Sequence, residues 1–188
     1  MKTFLEYLDE QFRIRLDEIG NSARPYKYKI QYKRSNIEGF VNGDLTQVMD
    51  IVRFKTDLGH HYFIDHISMR KAIHGNMLEV GFGVFPDKKK NPYASAFDLT
   101  GGGLEEAFKV MATVISATAE VLKEFHKKYD LQFQWLMFSS SQVGKGNGDK
   151  ASEQREKLYK AFIRKQPHLG KITSSGKTMV EIKPGFYK

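Results

Sequence analysis

The sequence predicts an α+β domain with a mixed, mainly antiparallel sheet and a long buried helix. Residues 26–33 alternate apolar and polar side chains, which is the two-residue period of a half-exposed strand. Residues 48–54 and 61–67 are two further apolar-rich segments that flank a Gly-containing turn at 57–59, as in an antiparallel hairpin. Residues 104–128 carry a wide apolar stripe at helical spacing, which indicates a helix that is largely buried.

The other elements follow from the same two periodicities. Over residues 3–19 the apolar side chains recur three or four positions apart, which predicts an N-terminal amphipathic helix. A third strand is predicted at 77–85, and a long polar connection, 86–100, leads from it to the long helix. After that helix the sequence predicts a strand at 131–138, a Gly/Ser loop at 139–150, a helix at 151–165 and a hairpin of 171–173 with 178–182.

Length and composition favour one globular domain over residues 1–188. Residues 1–75 would supply a helix and a hairpin, and residues 76–188 the remaining elements. Hydrophobic residues make up 40% and charged residues 28%, a balance typical of folded chains. The absence of cysteine excludes disulfides, thiolate metal ligands and a cysteine nucleophile. The first residues contain no long apolar run, so we expect a cytoplasmic protein that does not enter a membrane.

The positive charge is concentrated towards the C-terminus. The formal net charge is +8, and residues 145–188 contain eleven Lys/Arg against four Asp/Glu, a net charge of +7. Such a segment attracts nucleic acid, an acidic protein or a phosphate-bearing cofactor, while a solvated basic face explains the same composition. The residues expected to contact a polyanion lie on the late helix: Lys157, Lys160, Arg164 and Lys165. The tyrosines and lysines that alternate over residues 26–33 are a second candidate for phosphate contact.

The order of elements over residues 77–182 resembles that of the GNAT-type N-acyltransferases. It runs strand, glycine-rich turn, long buried helix, strand, a helix containing Leu-Tyr, and a terminal hairpin. The resemblance implies that backbone amides at Gly101, Gly102 and Gly103 cradle the pyrophosphate of acetyl-CoA or another acyl-CoA. Asp98 stands where the family has a basic or amide residue. An ordinary junction between a loop and a helix explains the same glycines.

The same resemblance implies two catalytic residues. Glu79, on the strand before the glycine turn, would take a proton from the amine substrate. Tyr159, in the sequence Arg155-Glu156-Lys157-Leu158-Tyr159, would protonate the leaving thiolate. Each has a structural alternative, since Glu79 fits a solvent-facing strand position and Tyr159 the edge of a core. The short basic chain and this helix also resemble small accessory proteins of tailed bacteriophages, which would place it in the cytoplasm of a bacterial host.

A metal site is not expected, although His60, His61, Asp65 and His66 are close in sequence. On a strand His60 and His66 point to one face and His61 and Asp65 to the other, so no face collects three ligands.

Two hypotheses about function stay open. The chain is either an acyl-CoA-dependent N-acyltransferase or a non-catalytic basic protein that binds nucleic acid or an acidic protein partner.

Overall fold

The computed structural model describes residues 23–34, 37–43, 47–72, 75–84, 103–139, 160–174 and 178–188. Seven strands lie in these ranges: β1 (Tyr28–Gln31), β2 (Gln47–Lys55), β3 (His61–Ala72), β4 (Gly75–Val84), β5 (Trp135–Ser139), β6 (Leu169–Ser174) and β7 (Thr178–Ile182). The helices are α1 (Ile37–Asn42) and α2 (Gly103–Tyr129), with a helical segment at 160–164 and a 3-10 turn at Pro184–Tyr187.

The seven strands form one sheet in the order β1-β2-β3-β4-β5-β7-β6. Every neighbouring pair is antiparallel except β4 and β5, which run parallel with Leu78 opposite Leu136. A parallel pair needs a crossover between its strands, and α2 lies in that connection. These features confirm the predicted α+β class with a mixed, mainly antiparallel sheet.

One face of the sheet carries the core, because the strands alternate buried and less buried residues. Five consecutive residues of α2, 110–114, are buried, so the helix is covered on more than its sheet-facing side. Phe40 of α1 packs against Phe125 with ring centroids 5.9 Å apart, and Phe162 packs against Phe108 at 6.1 Å. The prediction of a long buried helix is confirmed.

Several boundaries differ from the sequence prediction. Strand β3 continues to Ala72, beyond the predicted 61–67, β1 is shorter than the predicted 26–33, and the strand expected at 131–138 begins late. Regular pairing begins only at Trp135, opposite Met77. Leu131 and Phe133 are nevertheless buried. The Tyr187 hydroxyl accepts a hydrogen bond from the Phe133 amide at 3.0 Å and donates one to the Phe133 carbonyl at 3.0 Å. A side chain thus takes the place of a partner strand there, which explains a strand-like sequence outside the sheet.

Short elements account for the other differences. Helix α1 and the turn at Pro184–Tyr187 have too few residues to show a clear period, and neither was predicted. The turn before β3 is confirmed, with Gly59 at a φ of 87° that favours glycine. The predicted elements at 3–19, 86–100, 140–150 and 151–159 lie outside the described residues.

Beneath α2, His66 is fully buried on the inner face of β3. The Thr118 hydroxyl donates to the Val114 carbonyl at 2.7 Å, so its oxygen accepts from His66 Nε2 at 2.9 Å. This leaves Nδ1 as a bare acceptor, buried and without a hydrogen-bond partner in the described residues. Burial lowers the pKa of His66 to about 3. The imidazole is therefore neutral in the folded protein at any pH above that value.

We expect His66 to make the fold sensitive to acid. The unfolded chain protonates this histidine near pH 6.5 and the folded chain does not, so stability falls as the pH drops below 6.5, by about 1.4 kcal/mol per pH unit. His66→Gln keeps a donor for Thr118 and removes the titration. Between pH 7 and pH 5 the wild type should lose about 2 kcal/mol more than the variant in urea unfolding. Parallel losses in the two proteins would contradict this account.

Candidate functional site

The candidate site lies at the edge of the sheet where β2, β4 and β5 end, at Lys55, Val84 and Ser139. We call this the carboxyl edge. Helix α2 follows β4 in the chain and begins at Gly103, and Glu106 in its first turn contacts His60, just before β3. The N-terminus of α2 is therefore at the carboxyl edge. In sheets with parallel strands, ligands bind outside the carboxyl ends of the strands.

Glu79 lies on β4, on the face of the sheet opposite α2. Its neighbours in the sheet are Ile67 on β3 and Met137 on β5, so Glu79 lies within the parallel pair formed by β4 and β5. The side chain is half-buried. Val84 is five residues further along, which places Glu79 about 16 Å below the carboxyl edge at the usual rise of a strand.

Gly81 and Asp65 adjoin Glu79 on this outer face. A Cβ built on Gly81 would meet no atom within 4 Å, so a ligand can approach the backbone of β4 there. Asp65 on β3 stands directly opposite Gly81. Burial raises the pKa of Asp65. This juxtaposition depends on the register of β3 and β4, which is not visible in the sequence.

The first turns of α2 make three polar contacts between basic and acidic side chains at the carboxyl edge. His60 Nδ1 lies 3.1 Å from Glu106 Oε1, and the Glu106 side chain is only 13% exposed. Lys109 Nζ lies 3.0 Å from Asp57 Oδ2 and 3.7 Å from Glu105 Oε1. Glu105 therefore lies near Lys109 and Glu106 near His60, and the second of these contacts is not visible in the sequence.

Two of the three tyrosines of residues 26–33 are partly buried in contacts within the protein, and the third, Tyr32, is exposed. The Tyr28 hydroxyl donates to Glu120 Oε2 at 2.9 Å and lies 3.1 Å from the Ser116 hydroxyl. Tyr26 stacks on Phe54 with ring centroids 5.9 Å apart. Tyr32 is 44% exposed but lies against Arg34, whose guanidinium carbon is 4.7 Å from the ring centroid. The hypothesis that lysines and tyrosines of this segment bind nucleic acid together stays a prediction, and Tyr32 is the most exposed of its tyrosines.

The basic residues predicted on the late helix are only partly described. Within the helical segment 160–164, Phe162 and Ile163 are buried against the core, and Arg164 is exposed. Lys160 and Lys165 are half-buried. Lys157, Tyr159, Gly101 and Gly102 lie outside the described residues, so the predicted acyl-CoA and polyanion sites are each described in part.

The three histidines of residues 60–66 do not lie together: alternation along the strand places His61 on the face opposite His66, which agrees with the predicted orientations. His66 is buried under α2, His60 contacts Glu106, and His61 is exposed. Among the described residues, no three His, Asp or Glu side chains gather as metal ligands. In the same part of the chain, no helix is long and apolar enough to cross a lipid bilayer.

Comparison with known proteins returned no match, whether against family models, curated proteins or solved structures.

Proposed function

We propose that this protein is an acyl-CoA-dependent N-acyltransferase that acts on an amine. The feature that carries the proposal is the parallel pair β4 and β5, with α2 in the crossover between them. Helix α2 begins at Gly103, at the carboxyl edge, and Glu79 lies lower on β4. Coenzyme A carries its diphosphate and its thiol at opposite ends of an extended arm. A phosphate cradle at the edge and a proton acceptor further down the strand suit such a molecule.

The backbone amides at Gly101, Gly102 and Gly103 would hold the diphosphate. Glycine lets a backbone approach a phosphate closely, and the positive end of the α2 dipole favours an anion at this point. Glu105 and Glu106 in the same turn would oppose a diphosphate. The ammonium group of Lys109, 3.7 Å from Glu105 Oε1, reduces that opposition.

Glu79 would take the proton that the amine loses. As the nitrogen attacks the thioester carbonyl carbon, a C–N bond forms and the C–S bond breaks. The amine proton passes to Glu79 directly or through water, and Tyr159 supplies a proton to the leaving sulfur. Asp65 and Glu79 share the outer face of the sheet beside Gly81, so a cationic amine is attracted to this part of β4.

Titration calorimetry with acetyl-CoA tests the proposal. The wild type is expected to bind with a Kd between about 1 μM and 1 mM, the usual range of enzyme KM values. Gly102→Glu should abolish binding, because it adds a side chain and a negative charge at the cradle. Gly185→Glu is the matched control, since a Cβ there meets no atom within 4 Å and Gly185 lies in the 3-10 turn near the C-terminus.

Either of two results would overturn the proposal: no heat at millimolar acetyl-CoA, or equal loss of binding in the two glycine variants. In the first case the alternative becomes the primary hypothesis. This alternative is a non-catalytic basic protein that uses its lysines and arginines to bind nucleic acid or an acidic protein.

A further inference from the structure

Four cations lie together on the face of the sheet that points away from α2. Lys27 and Lys29 lie at β1, and Arg53 and Lys55 at the end of β2. We call these four residues the basic face. All four side chains are exposed. The other described residues on this face of β1 and β2 are Gln31, Gln47, Met49 and Ile51, none of which carries a negative charge.

The strand register brings these like charges side by side. Lys29 is the direct partner of Arg53 in the antiparallel pair, and the same register continued by one residue sets Lys27 beside Lys55. Directly opposed side chains have Cβ atoms roughly 5 Å apart, and like charges at that spacing destabilise a sheet. The exposed cations of the basic face would attract an anion that lies between the two rows.

Protection of the sheet edge does not explain the arrangement. Lysine on an edge strand such as β1 discourages pairing with other chains. Strand β2, however, is paired on both sides, with β1 and with β3. Arg53 and Lys55 therefore do not lie on an edge strand, and protection against pairing with other chains does not explain them. On the next strand, the exposed His61 stands opposite Lys55.

We propose that the basic face binds the phosphate backbone of nucleic acid without reading its sequence. Alternate residues of a strand are about 6.8 Å apart, so Lys27 and Lys29 can contact successive phosphates of an extended strand. Tyr28, the aromatic residue of β1, points towards α2, so it is not available to enter a lipid surface as interfacial anchors do. The proposal is independent of the acyltransferase reaction.

Fluorescence anisotropy tests the proposal with a labelled single-stranded DNA of roughly 20 nucleotides, longer than the 4–16 nucleotides that one small domain covers. Lys27→Glu/Lys29→Glu is expected to weaken binding at least about tenfold at low salt. It should also reduce the slope of log K against log salt by about 1.4, the value for two lost phosphate contacts on a single strand. Lys27→Gln/Lys29→Gln should give the same change in slope.

Lys171→Glu/Lys188→Glu is the matched control. It makes the same change in net charge at two exposed lysines, one of them on β6 at the opposite end of the sheet. This control should keep nearly all of the affinity. Equal losses in the two variants would show that net charge alone drives binding and would overturn the proposal. Tighter binding to anionic lipid vesicles than to DNA would overturn it as well.

Discussion

Arg34→Met is expected to lower the free energy of unfolding by about 3–5 kcal/mol. Arg34 is 6% exposed and binds Asp50, which is 1% exposed, through Nη2 to Oδ2 at 2.8 Å and Nε to Oδ1 at 3.1 Å. It also forms an ion pair with Glu124 of α2. Methionine occupies similar space but leaves the Asp50 carboxylate buried without a counter-charge. Urea unfolding at pH 7 measures the loss.

The surroundings of Arg34 explain why the effect should be large. Burial alone would lower the pKa of Arg34, but its contacts with Asp50 and Glu124 outweigh that effect and raise it. The guanidinium carbon also lies 4.0 Å from the centroid of the Phe125 ring, a cation–π contact that methionine loses. One side chain therefore ties the segment after β1 to both β2 and α2.

Arg24→Met makes the same chemical change at an exposed position and serves as the control. Its expected effect is within about 0.5 kcal/mol. The double variant Arg34→Met/Asp50→Leu should recover much of the lost stability, because it removes the unpaired carboxylate together with its partner. A loss below about 1 kcal/mol for Arg34→Met would show that Asp50 finds water or another donor in the folded protein.

The sequence predicts those elements whose side chains repeat with a clear period. A wide apolar stripe at helical spacing predicted α2, and its observed bounds, Gly103–Tyr129, differ from the predicted 104–128 by one residue at each end. The hairpin strand at Thr178–Ile182 was predicted with its observed bounds. In both cases one face of the element is buried, so the hydrophobic pattern and the local structure agree.

Elements fixed by contacts distant in the chain were not predictable in this way. Phe133 resembles a strand residue, but its backbone is satisfied by Tyr187, 54 residues away. Helix α1 has six residues and is held by Phe40 packing against Phe125. The polar site residues follow the same rule. Glu79 was identifiable from its strand, while its proximity to Asp65 depends on register and the pairing of His60 with Glu106 depends on the position of α2.

If acetyl-CoA binds as proposed, Glu79→Gln is expected to reduce kcat by about 10²–10⁴-fold, the usual contribution of a positioned acid or base. Glutamine keeps the size of the side chain and cannot accept the amine proton. The affinity for acetyl-CoA should not change, because Glu79 lies about 16 Å from the carboxyl edge where the diphosphate would bind. Steady-state kinetics with a panel of primary amines, together with acetyl-CoA titration, separates these two quantities.

Glu181→Gln is the control for Glu79→Gln, since Glu181 is an exposed glutamate on β7, on the same face of the sheet. It should leave both kcat and acetyl-CoA binding unchanged. Full activity in Glu79→Gln with normal acetyl-CoA binding would exclude Glu79 as the base. The next carboxyl group to test on that face would then be Asp65, whose pKa is raised by burial. Loss of acetyl-CoA binding in Glu79→Gln would instead indicate that Glu79 supports the cofactor site, because a residue that acts only on the amine proton has no reason to alter that affinity.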